Sequence, residues 1–130
     1  MAWPGAIPGW AVSVAGSLDM HPKWTPKGHL QDVATITNVT TNVESFAAPA
    51  DSNDRNYVTD IFIANSSATD TEVDIKDSTT IIATLPAKAN SGAVARLETP
   101  LRGSKNAGIN VATKDAVTSV FVTLTGFTQR

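Results

Sequence analysis

No stretch of this 130-residue chain carries an apolar stripe at the 3.6-residue period long enough to make a stable helix. From Val33 onward the apolar residues fall instead at every second position, in short runs rich in Val, Ile and Thr. Turn residues separate the runs at intervals of about 8–12 residues, the spacing of an antiparallel β-sandwich. The chain is therefore predicted to be all-β, an antiparallel sandwich of jelly-roll-like or immunoglobulin-like type.

Tyr57–Ala64 is the clearest strand. Strict alternation puts Tyr57, Ile61 and Ile63 on one face and Val58, Phe62 and Ala64 on the other, which suggests a central strand covered on both sides. Thr71–Asp77 alternates with Val73 and Ile75 inward and turns through Asp77-Ser78-Thr79 into Thr80–Leu85, a hairpin. Val33–Thr40 and Asn42–Phe46 read as a hairpin or one bent strand. Ala93–Glu98 is a strand ended by Thr99-Pro100, with a loop over Leu101–Ala107. Gly108–Thr113 is expected to pair with Ser119–Phe127, where Val120, Val122 and Leu124 alternate against Phe121, Thr123 and Thr125.

The first 32 residues break the pattern. They hold all three tryptophans, Trp3, Trp10 and Trp24, among Pro4, Gly5, Pro8, Gly9, Gly16, Pro22, Pro26 and Gly28. Such punctuation forbids a long regular helix. Residues 1–32 are thus expected to form an extended N-terminal arm and residues 33–130 the sandwich. An apolar arm either folds back over its own body or docks on another chain, and aromatic anchors dominate protein interfaces. The expected assembly residues are Trp3, Ile7, Trp10, Leu18 and Trp24. The tryptophans could also stack on sugars if a rigid platform displayed them, which keeps a carbohydrate-binding module as the alternative.

Charged residues make up 17% of the chain, against about 25% in typical domains, which suits a chain packed against neighbours and equally an ordinary β-sandwich. A net charge of −2, with the basic residues spread along the chain, argues against nucleic acid as a partner. No cysteine is present for a disulfide or a thiolate metal site. Nothing approaches a transmembrane helix in length, and no Lys or Arg precedes Lys23, so neither membrane nor signal peptide is expected. The chain is expected to stay in the cytoplasm until it joins a larger assembly.

Catalytic patterns fail one by one. Ser17 lacks the glycines of a nucleophile elbow, and Ser104-Lys105 lacks partners. His21 and His29, with Asp19 and Asp32 nearby and Pro22 and Pro26 between the histidines, read as solvated groups rather than as a triad or a zinc site. Asp51, Asn53 and Arg55 begin a calcium-loop template, but Asn56 stands where glycine is required and Phe62 where the closing Glu belongs, so a polar turn is expected. Asp70, Glu72 and Asp74 share one strand face opposite Val73 and Ile75 and read as a solvated face. No enzyme activity, cofactor or metal is expected.

The run Arg55-Asn56-Tyr57-Val58-Thr59-Asp60-Ile61, the turn Asn65-Ser66-Ser67-Ala68-Thr69, the segment Thr99-Pro100-Leu101-Arg102-Gly103 and the terminal Val120-Phe121-Val122-Thr123-Leu124-Thr125-Gly126-Phe127 resemble small β-domains of tailed-bacteriophage structural proteins. The resemblance covers residues 33–127. It implies a virion component: a capsid decoration or cement protein, a head-spike base, or a tail or fibre module. It also implies the major capsid protein or other virion proteins as partners, and a homo-oligomer such as a trimer.

Overall fold

The computed structural model describes residues 28–37 and 42–130, and every helix or strand among them is a strand. There are eight: β1 (Gly28–Ile36), β2 (Val43–Phe46), β3 (Arg55–Asn65), β4 (Thr71–Asp77), β5 (Thr80–Ala87), β6 (Ser91–Lys105), β7 (Ile109–Thr113) and β8 (Val120–Gln129). They form two antiparallel four-stranded sheets, ordered β1-β8-β3-β6 and β2-β7-β4-β5. Pairing couples β1 with β8, β2 with β7, β3 with β6 and β4 with β5. That nesting is what results when one long hairpin is rolled into two sheets. It is the jelly-roll order rather than the immunoglobulin one.

The core lies between the sheets. Ile61 and Ile63 of β3 and Val120, Val122 and Leu124 of β8 meet Val73 and Ile75 of β4 and Ile109 and Val111 of β7, all buried. Each such side chain contributes about 1.5–3 kcal/mol on leaving water. The β-branched residues that made the runs legible as strands are the ones that fill this layer.

Several expected pairings differ. β1 and β2 are not a hairpin: they lie in different sheets, bonded to β8 and β7. β7 pairs with β2 and β4 and does not touch the ladder of β8, which bonds β1 and β3. β6 runs on through Pro100 to Lys105, because as an edge strand it leaves one side unbonded and tolerates a residue without an N–H. β1 starts at Gly28, so the sheet takes in Gly28–Asp32, which the sequence places in the arm. The β4–β5 hairpin is as expected, with Ser78 in its turn at a φ of 58°.

Two buried asparagines fasten the ends of β3. Asn65 donates to the carbonyls of Thr69 (2.9 Å) and Ala87 (2.8 Å), and its Oδ1 accepts from Ser67 N (2.9 Å) and Ser67 Oγ (2.6 Å). Asn56 donates to the Ala47 carbonyl at 2.8 Å and accepts from Thr128 Oγ1 at 2.9 Å. Beside Asn56, Gly126 lets β8 press against β3, since a Cβ there would land inside the Tyr57 carbonyl.

Candidate functional site

Both outer faces of the sandwich are built by alternation, and they differ in chemistry. On the β2-β7-β4-β5 sheet the outward residues include Glu44, Asn110, Glu72, Asp74, Lys76 and Thr84. Their polar groups find local partners: Thr84 Oγ1 donates to Asp74 at 2.7 Å, Lys114 Nζ to Asp74 at 3.2 Å, and Lys76 Nζ to Asn42 at 2.9 Å. Asp74 is only 6% exposed, so it is a sequestered carboxylate rather than part of the solvated face that the alternation suggests.

The β1-β8-β3-β6 sheet turns a different surface outward. The register lines its outward residues into four rows that each cross all four strands. They are Thr35–Phe121–Ala64–Gly92, Val33–Thr123–Phe62–Val94, Gln31–Thr125–Asp60–Arg96 and His29–Phe127–Tyr57–Arg102. Four of the five aromatic rings among the described residues stand on this face; Phe46 alone is in the core. Val94 is 61% exposed, Val33 53% and Phe121 39%. These side chains form an apolar cluster on the sheet face, next to the row that carries Asp60 and Arg96.

A one-residue bulge in β3 creates the face. Val58 pairs with Gly126 and Asp60 with Thr125, consecutive partners on β8, so Thr59 is an extra residue. Thr59 Oγ1 lies 3.1 Å from the Thr125 carbonyl and 3.0 Å from Thr125 Oγ1, and Thr125 Oγ1 donates to Asp60 at 3.0 Å. Beyond the bulge the parity changes. Val58 joins Ile61 and Ile63 inside, and Tyr57 joins Phe62 and Ala64 outside, opposite to the expected assignment of Tyr57 and Val58. The outer side of β3, expected to be covered, is left open to solvent by the described residues.

The rings are packed in a particular way. Tyr57 and Phe127 stack on each other, centroids 4.9 Å apart and planes 13° from parallel. The Arg96 guanidinium sits 5.7 Å from the centre of Phe62. These contacts engage one side each of Tyr57, Phe127 and Phe62; Phe121, 39% exposed, takes part in neither. A sugar platform needs free ring faces, whereas an apolar protein surface can pack against edges and methyl groups.

Other sequence candidates are placed as follows. Trp3, Ile7, Trp10, Leu18 and Trp24 lie outside the described residues, as do Ser17, Asp19 and His21. His29 lies exposed at the end of the fourth row, and Asp32 accepts from Ser45 Oγ at 3.3 Å. Asp51 accepts from Asn53 N at 2.9 Å in a polar turn and from Arg130 at 3.0 Å. Ser104 Oγ donates to Asp77 at 2.6 Å. Among the described residues no group of three His, Asp or Glu side chains is gathered for a metal. The aromatic face went unread because its residues are scattered over four strands; alternation in β8 gave Phe121, but the bulge hid Tyr57.

No protein-family model matches the chain, and no curated protein matches it. Among solved structures, a chain of the cyanophage Pam1 capsid asymmetric unit aligns at a TM-score of 0.49 and 14% identity, over 80% of this chain and 86% of that one. A Bacillus endospore-appendage pilus protein aligns at 0.44 and 12%, over 82% and 93%. A Clostridium thermocellum xylanase 10B structure with CBM22-1 and GH10 modules aligns at 0.42 and 13%, over 79% of this chain and 26% of that one. At these scores and identities the likenesses carry no activity over to this chain.

Proposed function

We propose that this chain is a non-enzymatic structural protein of a tailed-bacteriophage virion, a capsid decoration or cement subunit or the base of a head spike. Its partners are the major capsid protein and further copies of itself, and it joins the particle in the host cytoplasm. The observation that carries the reading is the difference between the two outer faces. One carries mainly polar side chains that hydrogen-bond one another, with Ile81 exposed among them; the other exposes Phe121, Val33 and Val94 around a half-buried Phe62. An assembly subunit needs that asymmetry, with one side for water and one for a neighbouring chain, a second copy included. The tryptophan-bearing segment directly precedes β1, an edge strand of the aromatic sheet, in the sequence. The resemblance of residues 33–127 to phage β-domains supplies the particle.

The test is the copy number of the chain in purified particles from its source, by quantitative mass spectrometry. Icosahedral symmetry repeats a head-surface subunit on the order of hundreds of times. A few to a few tens of copies would move the protein to a spike, tail or fibre. Absence from particles would end the virion reading.

A further inference from the structure

We infer that the aromatic face of the β1-β8-β3-β6 sheet is a self-association surface, on which two copies of this chain pack face to face about a two-fold axis parallel to the strands and between β8 and β3. The inference deepens the reading above, since it takes the same face as an assembly surface and names its occupant.

The register carries the argument. A two-fold axis in that position lays β1 over β6 of the second copy and β8 over β3, and keeps each row over itself. Phe121 then meets Ala64 of the second copy, Phe62 meets Thr123, and Val33 meets Val94. Every large side chain of the two apolar rows faces a small or β-branched one, and Thr35 faces Gly92. In the third row Arg96 faces Gln31 and Asp60 faces Thr125, so no like charges are opposed there; the fourth row, with His29 over Arg102, falls at the end of the patch. This self-complementarity is what an isologous interface requires. Four strands by four rows cover a plane of about 500 Å² per copy, on the order of 1,000 Å² in total, the lower bound for a specific interface. Sheets packed this way align within about 30°, which keeps the rows in contact near the axis.

The chain contains no cysteine, so the geometry can be read by cross-linking in the full-length protein. Val33 and Val94 are three strand spacings apart within one chain, about 14 Å, too far for an internal disulfide. The double variant Val33→Cys/Val94→Cys, treated with a thiol-to-thiol cross-linker of about 8 Å span that reaches between sheets about 10 Å apart but not across this internal distance, is expected to give a covalent dimer of twice the 13.6 kDa chain mass, while either single variant stays monomeric on a denaturing gel. Without cysteines, sedimentation velocity is expected to show a dimer. Phe121→Asp should weaken that dimer by about 30-fold or more, the scale of a buried aromatic anchor. Circular dichroism unchanged in Phe121→Asp would separate loss of association from loss of fold. A monomer at every concentration overturns the inference and leaves residues 1–27 or a capsid subunit as the cover of the face. Equal cross-linking by the single variants overturns the register. Dimers in solution with no copies in particles would sink the virion reading and leave this inference standing.

Discussion

Asn65 shows how much of this fold hangs on single polar side chains. It is 2% exposed, yet both of its amide hydrogens and its oxygen are used, tying the β3–β4 turn to the end of β5. Replacing it with Leu leaves the Thr69 and Ala87 carbonyls and the Ser67 N–H without that partner, at about 1–3 kcal/mol for each group that stays unsatisfied. Asn65→Leu is expected to destabilise the protein by about 3 kcal/mol or more in urea unfolding, with an unchanged m-value. A loss below about 1 kcal/mol would mean that the turn re-satisfies itself. The exposed Asn53, whose backbone N–H caps Asp51, is the control, and Asn53→Ala should stay within about 0.5 kcal/mol of the parent.

The element that decides the character of the molecule is β3. Its bulge at Thr59 is one residue long, and its effect follows from a side-chain period of two. Deleting Thr59 leaves Val58 and Asp60 adjacent, opposite Gly126 and Thr125, which are already adjacent on β8. The strand becomes regular against β8 and every side chain keeps its face, while the β6 ladder keeps its own irregularity between Arg96 and Leu101. Thr59 deletion is therefore expected to cost only about 1–2 kcal/mol, mainly its hydrogen bonds to Thr125. Deleting Phe62 in the same strand forces Ile61 or Ile63 out of the core and should cost more than about 3 kcal/mol. Thermal melts of the two deletions test this directly, and a greater loss for the Thr59 deletion would contradict the parity argument.

For the whole molecule the question is what holds it to a neighbour. The tryptophans of the first 24 residues precede β1, an edge strand of the sheet that carries the aromatic face. A full-length Trp3→Ala/Trp10→Ala/Trp24→Ala variant should keep the far-ultraviolet spectrum of the parent, since side chains of β1–β8 pack the core among the described residues. On the virion reading it should also fail to join particles. Wild-type incorporation by a folded variant would remove the tryptophans from the docking role.

Alternation of Val, Ile and Thr with turn residues was enough to determine the fold class, the β4–β5 hairpin and the inward set of β8, because these depend on contacts near in sequence. The same local rule misassigned Tyr57 and Val58, where one inserted residue shifts the parity. It also could not say that β7 belongs with β2 and β4, or that β1 closes on β8 nearly the whole chain away. Those pairings are chosen by which arrangement buries both inner faces at once, a property of the rolled sheet and of no single segment. The aromatic face has the same origin: four strands each contribute one or two outward side chains, and only the jelly-roll order brings them into one surface.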